Sequence, residues 1–372
     1  MNVTPISAEL RTIESFLEVE WLPESSESYK IVSDDIREAF ELIVGYWLVF
    51  FLSSLGVVTN SLTMIVFVRQ GFRDSVNVSL FSIAVWDQVK CLAGVIYRLH
   101  RPIGLVRPVW GINWKWMSWP YLIYLPIFSG YVSYALATYV SIERCLSVSI
   151  PFKVKSLITP PITASFMVGL SLVIFGSFSP MFFIYTIEYT FNPFYNASIA
   201  RVTPGNLFYA RDGLISKIYK FLGIFYPAIF CTIMISTSAI IVFHLRKSAE
   251  NFDKMKGGKS TADEAAGESS RTSTTLTPRE VKVTKMLLVI ILVYLMDFFP
   301  RLCKYTASLI EPEFFAYRKY HNLMLVMSNV MWILDFINAS VNFFIFMGMS
   351  TNFKKTFYII FPRCSGNENA KR

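Results

Sequence analysis

Charged residues are scarce in this chain of 372 residues, since Asp, Glu, Lys and Arg make up only 16% of it. Soluble globular proteins carry roughly 25%, so the composition argues against a soluble domain of this length. It argues equally against a disordered chain. Histidine is rarer still, with three residues, and the five cysteines are scattered without a CxxC pair. Because the cysteines and histidines lack the spacing of metal ligands, a structural metal centre is not expected.

Apolar residues, by contrast, are abundant. They make up 53% of the chain, and 33 of them are Phe. The formal net charge of +9 would suit a nucleic-acid-binding protein, but the apolar content would not. A membrane protein whose basic residues lie mainly on one side accounts for both features, so we expect a lipid bilayer and no nucleic acid as a partner.

Long apolar stretches recur along the sequence. A bilayer core needs about 20 apolar residues per helix, and seven stretches meet this need: 44–68, 77–99, 119–145, 162–185, 215–244, 282–310 and 322–347. They largely lack the polar stripe at helical period that a soluble helical bundle shows. We therefore predict an all-α membrane protein with a seven-transmembrane helix bundle.

Basic residues are unevenly distributed among the connecting segments. With the N-terminus outside, the inside segments hold 18 Lys and Arg and the outside segments hold 11. This favours an extracellular N-terminus and a cytoplasmic C-terminus in the plasma membrane. Three parts follow: an acidic extracellular segment 1–43, a seven-span domain 44–347 with a flexible loop at about 245–281, and a cytoplasmic segment 348–372. No apolar core lies near Met1, so we expect no cleavable signal peptide.

Segments outside the spans carry modification patterns. The sequons at Asn2 and Asn196 fall on the extracellular side and predict glycosylation. Residues 352–361 alternate Lys with Phe, Tyr and Ile, which predicts a short amphipathic eighth helix on the cytoplasmic face. Cys364, just beyond it, is a candidate for palmitoylation.

Several polar side chains lie inside the apolar stretches. Asp87 is in the middle of the second stretch, Ser133 is in the third, and Asn338 and Asn342 are one turn apart in the seventh. An ionisable residue inside a span costs a few kcal/mol and marks a functional site by default. The oxygens of these four groups would suit a sodium ion. The alternative is a water-filled hydrogen-bond network with a protonated Asp87.

Charged residues also mark the inner ends of two stretches. Arg144 follows Glu143 at the end of the third stretch, and Glu280 begins the sixth. An Arg144–Glu280 pair would hold two helices together until it broke. The alternative is that both are ordinary charges solvated at the membrane surface. Within the sixth stretch, Asp297 and Arg301 are four residues apart and can pair with each other.

These features, taken in order, match a motif in most of the seven stretches. The chain resembles a rhodopsin-like (class A) G-protein-coupled receptor across nearly all of residues 44–361. The matching segments are GVVTN at 56–60, Asn77 with SIAVWD at 82–87, Glu143-Arg144-Cys145, Pro227, Glu280 followed by FFP at 298–300, and NASVNFFIF at 338–346.

The resemblance implies a receptor rather than an enzyme. It implies an activation switch formed by Glu143, Arg144, Glu280, Phe298, Pro300, Asn342 and Phe346. It implies an allosteric sodium site, the one candidate cofactor, formed by Asp87, Ser133, Asn338 and Asn342. An extracellular ligand would move the sixth helix outward and open a cytoplasmic cleft for a heterotrimeric G protein. Arrestin and a receptor kinase would be further partners.

Several positions depart from the family pattern. Cys145 stands where the triplet has tyrosine, Phe343 and Phe346 stand for the proline and tyrosine of the seventh helix, and Ile235 replaces the fifth-helix tyrosine. Trp119 stands where the family has the cysteine of its extracellular disulfide, so we expect no such bridge. This divergence resembles invertebrate orphan receptors of chemosensory or FMRFamide-peptide type.

The resemblance also argues against two ligand classes. Aminergic receptors carry an aspartate where this chain has Pro126, and opsins carry the retinal lysine where it has Phe336. We expect instead an apolar, aromatic pocket for an extracellular neuropeptide or small molecule. The candidate lining residues are Tyr124, Phe128, Arg301, Lys304, Tyr305, Asn329, Trp332 and Asp335.

A polytopic transporter or channel is the main alternative to a receptor, because buried carboxylates and helix-kinking prolines suit it too. It predicts internal repeats, and the two halves of the sequence show none. A membrane enzyme comes third, since no nucleophile–base pair or metal spacing supports it.

Overall fold

The computed structural model describes residues 31–150, 154, 158–209, 214–257, 278–311, 313–314 and 318–362. Among these, seven helices are long and apolar enough to cross a membrane, which confirms the predicted bundle. Asn2, Cys364, most of the acidic N-terminal segment and most of the 245–281 loop lie outside the described residues, so the predictions for them remain predictions.

Each span is built from one to three helical segments. The first contains helices Asp34–Phe40 and Val49–Gln70 around a π-helical segment Glu41–Leu48, and the second contains Ser75–Arg98 and His100–Val106. The third contains Pro108–Leu122 and Tyr124–Ser149, and the fourth contains Pro160–Phe178 with a 3₁₀ turn Ser179–Phe183. The fifth, sixth and seventh are Leu214–Gly257, Pro278–Ile310 and His321–Met349.

The bundle has two distinct ends. The terminal helix Thr351–Ile360 lies at the end that we call the C-terminal face. The opposite end, the N-terminal face, holds the start of the first span and a β-hairpin that follows the fourth. The terminal helix is the amphipathic eighth helix expected from the sequence. Ser350 caps it by accepting a hydrogen bond from the Phe353 backbone N–H at 3.2 Å.

The second and third spans are longer than the apolar stretches that predicted them. Arg107, in an extended conformation, is the break between helices that end at Val106 and begin at Pro108. Gly104 and Gly111 let the two helices approach, because a Cβ on Gly111 would lie 2.4 Å from the Gly104 Cα. Arg101 and Lys115 interrupt the apolar run, but the backbone remains helical through both.

The hairpin was not predicted. Its strands, Tyr185–Asn192 and Ala197–Pro204, pair antiparallel with Tyr185 opposite Pro204. Threonine and isoleucine occur in both strands and valine in the second, and these β-branched residues favour extended structure. The predicted glycosylation residue Asn196 lies in the turn with φ of 46°, a left-handed conformation that asparagine tolerates better than most residues.

Close packing joins the first, second and seventh spans. A Cβ on Gly56 would lie 2.3 Å from Cys91 Sγ and 2.9 Å from Ser340 Oγ, so only glycine fits there. One turn along, Asn60 Nδ2 donates to the backbone oxygens of Gly56 at 2.9 Å and Ala339 at 2.8 Å. The GVVTN motif therefore connects the first span to the seventh.

We expect Asn60→Ala to lower the free energy of unfolding by about 1–3 kcal/mol, because it leaves the buried Ala339 carbonyl without this donor. Thermal unfolding of the purified protein in nanodiscs measures the effect. Ser61→Ala is the matched control, since that hydroxyl donates only to Val57 of its own helix. Equal midpoints for the two variants would contradict the assignment.

Aromatic rings hold the terminal helix against the bundle. Phe353 and Phe357 are buried. Phe346 of the seventh span contacts Phe353 at 5.3 Å between ring centroids and meets Phe67 of the first span edge-on at 5.4 Å. Phe343 reaches both buried residues of the terminal helix, with ring centroids 5.9 and 5.5 Å away. The two phenylalanines that replace the family's proline and tyrosine therefore pack apolar surface.

Candidate functional site

Buried polar residues from four spans meet in the middle of the bundle. We call this group the polar core. It consists of Asp87, Lys90, Ser133, Tyr134, Asp297, Arg301, Asp335, Asn338 and Asn342.

Asp87 is the centre of the group predicted as a sodium site. Its side chain is fully buried. Ser133 Oγ donates to Asp87 Oδ1 at 2.8 Å, and Asn342 Nδ2 donates to Oδ2 at 3.2 Å. The structure thus brings together three of the four predicted residues, from the second, third and seventh spans.

Asn338, the fourth predicted residue, points elsewhere. Its Nδ2 donates to Asp297 Oδ2 of the sixth span at 3.0 Å. The hydroxyl of Tyr134, which sequence reasoning did not select, donates to the same oxygen. Asp297 therefore connects the sixth span to both the third and the seventh.

Lys90 is the residue of greatest consequence that the sequence analysis missed. It lies one turn after Asp87 on the second span, and its side chain is fully buried. Its Nζ lies 3.8 Å from Asp87 Oδ1 and 3.9 Å from Asp335 Oδ1. A lysine at i+3 from a buried aspartate is a signal that could have found it.

Arg301 pairs with Asp335 of the seventh span and not with Asp297 of its own helix, the partner that the spacing allows. The guanidinium carbon also lies 5.5 Å from the ring centroid of Tyr131 and 5.9 Å from that of Tyr134. Two tyrosine faces and a carboxylate thus surround this buried charge.

The polar core does not fit a sodium ion at Asp87. Its oxygen donors are of the right chemical type, but the ammonium of Lys90 already lies beside the carboxylate. In all, the polar core holds three carboxylates against two side-chain cations. Several of its buried atoms have no hydrogen-bond partner within the part of the chain that the structure describes: Lys90 Nζ, Asp297 Oδ1, Asp335 Oδ1, Asn338 Oδ1 and Asn342 Oδ1.

The Glu143–Arg144 pair lies near the C-terminal face. Arg144 Nη2 donates to Glu143 Oε1 at 2.7 Å, and Ser79 Oγ of the second span donates to Glu143 Oε2 at 3.3 Å. Glu143 is buried, and its hydrogen bond from Ser79 holds the carboxylate in place. The carboxylate in turn holds the guanidinium of Arg144. The side chain of Glu280 lies outside the described residues, so its predicted pairing with Arg144 remains a prediction.

A cavity of about 510 Å³ opens at the same face. Asn77 of the second span, Lys282 and Met286 of the sixth, and Phe346 of the seventh line it together with the start of the terminal helix. The sixth span therefore forms one wall of an existing cleft.

Two further predicted switch residues lie on the sixth span. Phe298 is fully buried and contacts the ring of Tyr134; the Phe230 ring of the fifth span meets it edge-on at 6.5 Å between centroids. Pro300 lies inside the same helix, where the missing backbone N–H favours a bend.

The predicted pocket residues fall into separate groups. Tyr124 and Phe128 stack at 5.6 Å, and each ring also contacts Tyr219 of the fifth span. Tyr185 of the hairpin stacks on Tyr124 at 6.4 Å, so these four rings form an aromatic cluster below the hairpin. Arg301 and Asp335 belong instead to the polar core.

The remaining pocket residues belong to the parts of the sixth and seventh spans that are nearer the N-terminal face. Lys304 Nζ donates to Ser328 Oγ at 2.6 Å. Tyr305 faces Gly223 of the fifth span, and Asn329 faces Gly45 of the first, since a Cβ on either glycine would meet them within 3.3 Å. Trp332 stacks on Phe336 at 6.0 Å and so turns toward the first and second spans.

The described residues contain four free cysteines: Cys91, Cys145, Cys231 and Cys303. Cys364 lies outside the described residues. The absence of the extracellular disulfide therefore stays a prediction, which rests on Trp119 and on the lack of cysteine in residues 186–216.

Comparison with known protein families identifies the receptor class. The family model described as "Serpentine type 7TM GPCR chemoreceptor Srw" matches residues 47–364, from within the first span to just past the terminal helix. No curated protein matches the chain. This is a family of multi-pass membrane receptors and not an enzyme family, so the resemblance to chemosensory G-protein-coupled receptors is confirmed. The chain belongs to the serpentine-type seven-transmembrane GPCR chemoreceptor family Srw.

Proposed function

We propose that this chemoreceptor lies in the plasma membrane, binds an extracellular small molecule or neuropeptide, and activates a heterotrimeric G protein by outward movement of the sixth span. The match to the Srw family covers most of the chain and supports receptor activity. The observations that carry the activation mechanism are the Glu143–Arg144 pair and, at the same face of the bundle, a cleft that the sixth span lines.

The N-terminal face is extracellular in this proposal. The excess of Lys and Arg in the segments at the C-terminal face supports it. So does the sequon at Asn196, which lies in the exposed turn of the hairpin at the opposite face.

The ligand binds near the N-terminal face, between the aromatic cluster and the upper sixth and seventh spans. The cluster offers ring faces from the third and fifth spans and the hairpin, which suits an apolar or aromatic ligand. Lys304 lies on the sixth span and supplies a cation for a ligand carboxylate. A ligand that contacts both regions connects the third and fifth spans to the sixth, which has to move.

The G protein binds at the C-terminal face. Outward movement of the sixth span enlarges the cleft beside Lys282 and Met286 and lets Arg144 leave Glu143 for the G protein. The ligand drives this change only to the extent that it binds the open state better than the closed one. Arrestin and a receptor kinase follow at the same face, where residues 269–275 supply a run of serine and threonine.

We expect Glu143→Gln to raise basal signalling roughly tenfold, because a charge-assisted hydrogen bond contributes about 1.5–3 kcal/mol to the resting state. Glu280→Ala tests the second predicted partner in the same direction, and Arg144→Ala should abolish coupling. Reporter assays for several G-protein classes, normalised to surface expression, measure all three.

Glu38→Gln is the matched control for this experiment. It removes an ion pair between adjacent residues, Arg37 and Glu38, near the opposite face, where the two atoms lie 3.6 Å apart. Its basal signal should equal that of the wild type. Normal signalling by Arg144→Ala would overturn the proposed switch.

A further inference from the structure

The polar core contains a side-chain cation beside the carboxylate on which a sodium ion was expected. Lys90 reaches this position from the second span, and its side chain is 0% exposed. Its Nζ has no hydrogen-bond partner among the described residues and faces two carboxylates, Asp87 at 3.8 Å and Asp335 at 3.9 Å. A buried ammonium is stable only with such counter-charges around it.

A free cation would compete with this ammonium for the same carboxylate. Oxygen ligands hold a cation of sodium's size at about 2.4 Å, so an ion on Asp87 Oδ1 would lie within about 6 Å of Lys90 Nζ. At that separation, and with the effective dielectric constant of about 20 that suits protein sites, the repulsion weakens sodium binding about 100-fold. The two cations therefore exclude each other.

Both oxygens of the Asp87 carboxylate already have a hydrogen-bond donor. Asp87 Oδ1 accepts from Ser133, and Oδ2 accepts from Asn342. Asn338 lies against Asp297 and does not reach Asp87 within hydrogen-bond distance. The Asp87 carboxylate thus has one hydrogen-bond donor on each oxygen, and the ammonium beside it compensates its charge.

We infer that the ammonium of Lys90 replaces the sodium ion in this receptor and serves as a covalently attached cation that joins the second span to the seventh through Asp87 and Asp335. A sodium ion can leave its site and responds to the salt concentration outside the cell. A lysine cannot leave. The resting state of the receptor is therefore insensitive to sodium.

Removing the ammonium should create the sodium site that is missing. In Lys90→Met the side chain keeps a similar length and loses its charge. The Asp87 carboxylate, with Ser133 and Asn342 beside it, then has no ammonium next to it and can bind a free cation. The apparent affinity for sodium should rise about 100-fold, which is the repulsion that the substitution removes.

Thermal unfolding of the purified full-length receptor tests this inference without any ligand. The midpoint is measured in sodium chloride and in equal concentrations of potassium chloride and N-methylglucamine chloride. The wild type should unfold at the same temperature in all three salts. Lys90→Met, or Lys90→Gln if the first variant does not fold, should gain stability in sodium alone.

Two controls isolate the role of charge. Lys90→Arg keeps a cation and should remain indifferent to sodium. The double variant Lys90→Met/Asp87→Asn has neither charge and should also be indifferent. Sodium-selective stabilisation of the wild type would overturn the inference, and so would a folded Lys90→Met variant that ignores sodium. Neither result depends on G-protein coupling, so both leave the proposed function to its own test.

Discussion

Replacing Arg301 with methionine is expected to lower the free energy of unfolding by about 3–5 kcal/mol, the usual cost of removing one partner from a buried ion pair. Arg301 is 2% exposed and pairs with Asp335. Without it, Lys90 becomes the only cation among three carboxylates of the polar core. Because Lys90 lies 3.9 Å from Asp335, it offsets part of the loss and cannot offset all of it.

A double-mutant cycle measures this pair. Asp335→Asn alone also leaves one charge without its partner, whereas Arg301→Met/Asp335→Asn removes both and should recover much of the lost stability. Denaturation in mixed micelles supplies the free energies. Arg318→Met is the control, since its ion pair with Glu313 is about half exposed and should contribute about 0–1 kcal/mol. A single variant no less stable than this control would contradict the assignment.

The membrane spans could be predicted from the sequence because a bilayer imposes the same requirement on every helix. About 20 apolar residues must follow one another, and composition alone reveals them. The boundaries were less predictable. The second and third spans continue as helix past Arg101 and Lys115, since helical hydrogen bonds do not require apolar side chains beyond the bilayer core.

The partners within the polar core could not be predicted from spacing along one helix. Asp297 and Arg301 are four residues apart, yet Arg301 binds Asp335 and Asp297 binds Tyr134 and Asn338. These choices depend on how far each helix rotates about its axis in the bundle. That rotation is set by contacts such as Gly56 against Cys91, which involve helices distant in sequence.

Lys90 was missed for a different reason. The resemblance to class A receptors directed attention to Asp87 and to the residues that accompany it in the family, and Lys90 has no place in that motif. Its charge inside an apolar span was nevertheless visible, and intramembrane charge is a functional signal in its own right. The charge of Lys90 therefore determines the electrostatics around Asp87, and the class A motif does not include it.

Removing a hydrogen bond that connects the sixth span to its neighbours should raise basal signalling by about tenfold, which is the second large effect that we predict. Tyr134 and Asn338 both donate to Asp297 Oδ2 and so connect the sixth span to its neighbours in the resting state. Tyr134→Phe removes one donor and keeps the ring that packs on Phe298. A hydrogen bond to a charged group contributes about 1.5–3 kcal/mol, and about 1.4 kcal/mol shifts a two-state equilibrium tenfold.

The control for this experiment breaks a comparable contact elsewhere. Trp86 Nε1 of the second span donates to Ser171 Oγ of the fourth at 3.0 Å, and Ser171→Ala removes that bond without touching the sixth span. Asn338→Ala should act like Tyr134→Phe, and the two together should exceed either alone until the signal reaches the maximum that the G protein allows. If Tyr134→Phe lowers unfolding stability as Ser171→Ala does but leaves basal signalling at the wild-type level, Asp297 is a structural anchor and the sixth span is held closed by other contacts.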